Sequence, residues 1–193
     1  MNILQVAQFT SPFRSKLIIK SFKGWIKKRD NILDIGCGTG ITSIMIKKSF
    51  RSTIIGCDIV NYLTVDLPFH KIPRQGKLPF KDKSFDKAIL NDVLHHTSKS
   101  YQINIIKEGL RVSRQLLIFE VEPTFFGKVF DIILNNLHYH GLETPLTFRD
   151  SEEWANLFEK MEYIYSIKSV KAPFWYPFSH IAMLVQNREN KNR

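Results

Sequence analysis

The chain has 193 residues, of which 44% are hydrophobic and 24% charged. Since a domain usually has about 150 residues, this length and balance predict one globular domain with its own core and exclude a disordered chain. The chain has two cysteines, which is too few for a disulfide scaffold. Its longest apolar run, Ile181 to Val185, is far shorter than the roughly 18 residues that a membrane span needs.

The net charge of +10 is unevenly distributed along the chain. Residues 1–60 carry ten basic and three acidic side chains, whereas residues 121–193 carry eight and nine. Such an excess of positive charge suits an anionic membrane surface, a nucleic acid or an acidic substrate. The N-terminus lacks the early positive charge and the apolar core of a signal peptide, so we expect a cytoplasmic location.

Residues 1–29 are predicted to form an N-terminal segment with a basic amphipathic helix over residues 15–29. Ile18, Phe22 and Ile26 share one arc of the helical wheel, together with Ile19 and Trp25. The opposite arc holds four lysines: Lys16, Lys20, Lys23 and Lys27. Two interpretations remain open: a helix packed on the domain with a solvated face, or a helix lying peripherally on an anionic membrane.

Strand and helix signals then alternate through residues 30–186, the predicted main domain. Strands are predicted at 32–36, 53–58, 85–90 and 115–121, with helices at 41–48 and 101–112 between them. A helix with an acidic first turn begins at Ser151, and two closing strands follow at 163–170 and 180–185. This alternation predicts an α/β fold with a parallel sheet between helices, followed by a polar tail at 187–193.

The strongest motif runs from Leu33 to Gly40, where a strand ends in a glycine-rich turn that opens a helix. Its spacing is G-x-G-x-G, so Ile41 stands in the place of the third glycine of a dinucleotide-binding G-x-G-x-x-G turn. Asp34 lies two residues before the first glycine. Its carboxylate would repel a pyrophosphate but attract an ammonium group, which points to S-adenosylmethionine (SAM) as the cofactor.

Two motifs carry a family resemblance. Residues 33–40 resemble the first motif of the class I SAM-dependent methyltransferases. The stretch Leu78 to Asp86, followed by Val93-Leu94-His95-His96, resembles the "LPF…D-x-SFD…VLHH" pattern of the type-11 methyltransferase group. This resemblance covers residues 30–121 and implies a Rossmann-like seven-strand sheet flanked by helices, with a small helical cap after the fifth strand, at about residues 123–150.

The cofactor-binding residues are predicted partly from spacing and partly from this resemblance. Asp58 ends the second predicted strand, where a carboxylate can accept both ribose hydroxyls; the alternative is an acid in a surface turn. The family often has an acid before Leu-Pro-Phe to bind the adenine amino group, where this chain offers the Gln75 amide oxygen. The predicted set is Asp34, Gly36, Cys37, Gly38, Gly40, Asp58, Ile59 against adenine, Gln75, Gly76 and Asn91 near the ammonium.

Methyl transfer from a sulfonium is an in-line displacement that needs alignment and, for some acceptors, removal of a proton. The candidate catalytic residues are His95 and His96, which match the family pattern, and His138 and His140, in a loop after the aromatic helix predicted at 125–137. For each of them a structural role is the competing interpretation. The His138-Tyr139-His140 spacing is unlike that of metal ligands, so no metal is predicted.

The aromatic residues after Pro123 are predicted to form the wall of the acceptor site, since pockets for small molecules are lined by such side chains. They are Phe125, Phe126, Phe130 and Tyr139; the alternative is an ordinary helix packed on the sheet. The sequence thus predicts a SAM-dependent methyltransferase for a small, apolar or lipid-like molecule. RNA methylation is an alternative, disfavoured because no Asn/Asp-Pro-Pro-Tyr/Phe motif follows the strand ending at Asn91, and a non-catalytic SAM-binding protein is another.

Overall fold

The computed structural model describes residues 3–74, 76–123, 147–173, 176 and 178–188, with side chains from residue 12 onward. The helices are α1 (Ile3–Phe22), α2 (Ile41–Phe50), α3 (Lys99–Val112) and α4 (Ser151–Lys160), with a short 3-10 helix at Leu94–His96. The strands are β1 (Asn31–Ile35), β2 (Thr53–Asp58), β3 (Phe69–Lys71), β4 (Phe85–Asn91), β5 (Ser113–Val121), β6 (Ile164–Val170) and β7 (His180–Gln186).

These strands form one sheet in the order β3-β2-β1-β4-β5-β7-β6. The first five strands run parallel, and β7 lies antiparallel between β5 and β6. The α/β prediction is therefore confirmed. Most of the predicted cap, about residues 123–150, falls on residues 124–146, which lie outside the described part of the chain.

The register brings the carboxyl ends of β1, β2, β4 and β5 to one edge of the sheet. His180, the first residue of β7, pairs with Val121 at the end of β5, so it reaches the same edge. Ligands of parallel α/β sheets bind outside this edge. We call this edge the carboxyl edge. The opposite edge, where β1 and β2 begin, is called the amino edge.

Strand β3 was not predicted from the sequence. It has three residues, of which His70 and Lys71 are exposed, and it pairs with β2 at the border of the sheet. A strand this short and this exposed lacks the apolar run or the alternation that marks a buried strand.

The N-terminal helix differs from its prediction. It ends at Phe22 instead of residue 29, and Gly24 adopts a φ of +90°, a conformation that continues no right-handed helix. Leu17, Ile18 and Phe22 are buried in a core shared with the sheet and α2. Most of the apolar arc therefore packs inside the protein, which favours the interpretation of a helix packed on the domain with a solvated face.

A second core covers the other face of the sheet, where α3 and α4 pack. Helix α4 begins at Ser151 as predicted, but the capping residue is Asp150, whose carboxylate accepts from the Glu153 amide in a capping box. Among the described residues, no helix is long and apolar enough to cross a membrane.

Candidate active site

The glycine turn between β1 and α2 has the geometry of a ligand cradle. Gly36 has a φ of +76°, and a Cβ there would lie 2.5 Å from Cγ2 of Val93, so only glycine fits. Gly38 has a φ of +52°, and a Cβ there would meet nothing within 4 Å. The turn therefore packs tightly on its inner side and leaves its outer side open to a ligand.

Asp58 ties the end of β2 to this turn. Its Oδ2 accepts a hydrogen bond of 3.0 Å from the Gly38 amide, and its Oδ1 accepts one of 2.7 Å from the Ile59 amide. Burial raises the pKa of Asp58, and the two amide bonds oppose that rise. Because a carboxylate has about four acceptor positions, Asp58 can hold the turn and still accept from ribose hydroxyls.

Asp34 is the most deeply buried acid of the predicted set, with 2% of its surface exposed. Ser43, in the first turn of α2, donates to Asp34 Oδ2 over 2.5 Å, whereas Asp34 Oδ1 has no hydrogen-bond partner. Burial raises the pKa of Asp34 to about 7, although the Ser43 bond and the charge of Arg14 lower it. A buried, unpartnered carboxylate oxygen fits a cationic ligand group, because such an atom is otherwise costly.

Asn91 and Asp92 follow at the end of β4. Asn91 is buried, and neither its amide oxygen nor its amide nitrogen has a hydrogen-bond partner. Asp92 has a φ of +53°, and its carboxylate lies 3.2 Å from Arg14 Nη1 and 3.6 Å from His180 Nε2. Asp34 and Asn91 thus present open polar atoms at neighbouring strand ends, as the predicted ammonium site requires.

His95 is held by Glu120, a residue that the sequence analysis missed. Glu120 Oε1 accepts from the Val93 and Leu94 amides, at 2.9 and 2.7 Å, and Oε2 lies 2.6 Å from His95 Nδ1. One possible metal-ligand atom each of His95, Glu120 and Asp92 lies within 4.8 Å of the others. Both Glu120 oxygens, however, already accept hydrogen bonds within the protein. These hydrogen bonds of Glu120 therefore fix the position of the chain after β4.

His96 lies beside His95, with ring centroids 4.0 Å apart. Burial and, to a smaller extent, the neighbouring His95 lower the pKa of His96 to about 3. Burial likewise lowers the pKa of His180 to about 4. Both imidazoles are neutral at pH 7.

The remaining predicted residues divide into two groups. Cys37 is buried with its sulfur toward Gly56, which leaves only its backbone for a ligand at the turn. Both cysteines are free thiols. Ile59 is half-buried, and Gly76 is exposed with a φ of +117°. The other predicted residues lie outside the described chain: Gln75, Phe125, Phe126, Phe130, His138, Tyr139 and His140.

Arg111 in α3 holds the Leu78–Asp82 segment, a second feature that the sequence analysis missed. Its guanidinium donates to the carbonyls of Leu78 and Phe80, each over 2.9 Å, and to Asp82 over 2.7 Å. Glu108 accepts from Arg111 and from the Leu78 amide. The Leu-Pro-Phe segment is therefore fixed from helix α3.

We expect Arg111→Met to lower the free energy of unfolding by about 2 kcal/mol, because two carbonyls and two carboxylates lose a charged donor. Urea unfolding measures this change. The matched control is Lys107→Met, which removes an exposed cation from the same helix and should change stability by less than about 0.5 kcal/mol. Equal losses in the two variants would contradict the role of Arg111.

Comparison with known proteins agrees with this geometry. A family model for a methyltransferase domain matches residues 33–119. A human protein named "Probable tRNA methyltransferase 9B" is 32% identical over 133 residues, covering 61% of this chain and 28% of the relative. A ribosomal protein L11 methyltransferase of Helicobacter pylori is 27% identical over 137 residues, covering 67% of this chain and 40% of the relative. The chain therefore spans less than half the length of these relatives.

A solved structure shares the fold of this chain. A SAM-dependent methyltransferase from Thermotoga maritima superposes with a TM-score of 0.69 at 16% identity, covering 96% of this chain and 94% of that protein. The Rossmann-like seven-strand prediction is thereby confirmed. The residues at this site fit SAM. They are the open turn at Gly38, the carboxylates of Asp34 and Asp58, and the Asn91 amide, which has no hydrogen-bond partner. Residues 33–119 thus match a methyltransferase domain, and the chain shares the fold of a solved SAM-dependent methyltransferase.

Proposed function

We propose that this protein transfers the methyl group of SAM to a small, apolar or lipid-like acceptor. Bound SAM supplies a methyl group made electrophilic by its sulfonium. Asp58 would accept from the ribose hydroxyls, and Asp34 and Asn91 would bind the ammonium group. The contact that supports this most directly is the pair of Asp58 hydrogen bonds, which couples the ribose-binding carboxylate to the glycine turn.

The surroundings of Asp92 support an apolar acceptor. The rings of Phe13 and Tyr176 lie 5.2 Å apart, and Tyr176 and His180 lie 5.7 Å apart. His180 also stacks on Phe119 at 4.5 Å. Aromatic rings beside a few polar groups are typical of small-molecule sites. We propose that Phe125, Phe126, Phe130 and Tyr139 complete this wall.

Exposed basic residues gather instead at the amino edge. The Arg29 amide bonds to the Arg51 carbonyl over 3.2 Å, which places the segment after α1 beside the end of α2. These two segments carry Lys23, Lys27, Lys28, Arg29, Lys47, Lys48 and Arg51, all exposed. A five-residue strand such as β1 separates the two edges by roughly 16 Å. A nucleic acid held by these cations would therefore lie away from the site of methyl transfer.

The histidines have different roles in this proposal. His95, locked by Glu120, positions the chain that follows Asn91. His96 is a weak base because its pKa is about 3, so it shapes the site and offers hydrogen bonds. Alignment of the acceptor with the methyl group would then supply a large part of the rate enhancement. His138 and His140 remain candidates for contact with the acceptor.

The test is transfer of radioactive methyl groups from labelled SAM into a cell extract of the source organism, separated into lipid, small-molecule, RNA and protein fractions. We expect label in the lipid or small-molecule fraction with the wild-type protein and none with Asp58→Asn. Label confined to RNA or protein would contradict the small acceptor. SAM binding without label in any fraction would favour a binding protein instead.

RNA methylation is the second candidate, and the human relative named for tRNA favours it. Label in the RNA fraction would establish it. Replacing Lys27 and Lys28 together by glutamine would then weaken RNA binding and reduce its salt dependence, because each released phosphate contact lowers the salt slope by about one.

A further inference from the structure

We infer that Arg14 binds the carboxylate at the methionine end of SAM, an inference that rests on the proposed function. Arg14 lies in α1, in the part of the chain where the sequence analysis placed no cofactor residue.

Two contacts place Arg14 at the cofactor site. Ser15 Oγ and Thr42 Oγ1 are 2.9 Å apart, which fastens α1 to the first turn of α2, directly after the glycine turn. Arg14 Nη1 lies 3.2 Å from Asp92 Oδ2 at the end of β4. The charge of Arg14 also lowers the pKa of Asp34. The guanidinium therefore lies between the ends of β1 and β4.

The charges at this edge require a cation near the methionine end. If Asp34 binds the ammonium group, the carboxylate on the same carbon must also lie close to Asp34. Three acids meet at this edge: Asp34 and Glu120, which are buried, and Asp92, which is half-buried. They would repel a further carboxylate. His96 and His180 are neutral and offset none of this repulsion. Arg14 brings the positive charge that the zwitterion needs.

Arg14 also has N–H donors left for hydrogen bonds to a ligand carboxylate. A guanidinium has five N–H donors in a planar fork suited to carboxylates. One of them faces Asp92, whereas the buried Nε has no hydrogen-bond partner. The Asp92 contact thus orients Arg14 without using its donors up, and a ligand carboxylate can take those that remain.

Calorimetric titration with two probes tests the inference. SAM and decarboxylated SAM differ by the carboxylate alone. We expect the wild-type protein to bind SAM about 10- to 50-fold more tightly than decarboxylated SAM, as one charge-assisted bond implies. Arg14→Gln should lose that preference by binding SAM more weakly, while its affinity for decarboxylated SAM changes less than about threefold.

Two further variants make the result specific. Lys16→Gln removes an exposed charge from the same helix and should keep the full preference for SAM. Arg14→Lys keeps the charge but not the fork, and should keep a preference of about 3- to 10-fold. Circular dichroism of each variant confirms folding, and Arg14→Lys decides the question if Arg14→Gln does not fold.

If Arg14→Gln bound SAM and decarboxylated SAM with equally reduced affinity, the inference would be overturned, because Arg14 would then act only by holding α1 on Asp92. An unchanged preference in Arg14→Gln or Arg14→Lys would overturn it as well. A wild-type protein that binds neither probe would overturn the proposed function together with the inference. A wild type that binds both equally would overturn the inference alone.

Discussion

Asp58→Ala is expected to weaken SAM binding by about 2–4 kcal/mol, roughly 30- to 1,000-fold. Two effects add. The variant removes the acceptor for the ribose hydroxyls, and it also releases the amides of Gly38 and Ile59 that Asp58 holds at 3.0 and 2.7 Å. The glycine turn then loses its link to the end of β2, so the cradle is less ordered before SAM arrives.

Isothermal titration calorimetry with SAM measures this effect. The matched control is Asp66→Ala, which removes an exposed acid from the connection between β2 and β3 and should leave the affinity within about twofold. Unchanged SAM affinity in a folded Asp58→Ala protein would remove the basis for ribose binding at this position.

Asp34→Asn is expected to abolish measurable SAM binding and yet stabilise the fold at pH 8. Burial raises the pKa of Asp34 from 3.8 to about 7. Between pH 4 and pH 7 the unfolded chain therefore releases a proton that the folded protein keeps, so stability falls as the pH rises through this range. Above pH 7 the folded protein bears the full cost of ionising the buried Asp34 carboxylate, on the order of 2–4 kcal/mol of unfolding free energy. Asparagine cannot ionise, so the Asp34→Asn variant does not bear this cost.

Urea unfolding at pH 5 and pH 8 tests the sign. The stability advantage of Asp34→Asn over the wild type should grow between the two pH values, whereas exposed Asp66→Asn should show no such trend. SAM affinity of the wild type should rise from pH 6 to pH 8, since ionised Asp34 attracts the ammonium group. A variant that is less stable than the wild type at pH 8 would show that the Asp34 carboxylate is stabilising, contrary to this account.

Most of the fold could be predicted because the strands that carry it are local patterns. Strands β1, β2, β4 and β5 are apolar runs, and the glycine turn is a sequence of eight residues whose spacing alone separates it from a dinucleotide site. The end of α1 was placed seven residues too late, at 29 instead of Phe22. The hydrophobic arc continues through Trp25 and Ile26, and periodicity does not register the φ of +90° at Gly24.

The sequence by itself determined the α/β class and predicted SAM as the cofactor with Asp34 and Asp58 as its carboxylates, because each depends on residues within one strand and the turn that follows it. The tertiary structure decided which side chains meet across the carboxyl edge. Glu120 locks His95 from 25 positions away, Arg111 holds Leu78 from 33 positions away, and Arg14 reaches Asp92 from another helix. Such pairs produce no periodic pattern in a sequence, since only strand order and helix packing bring their atoms within hydrogen-bonding or ion-pair distance.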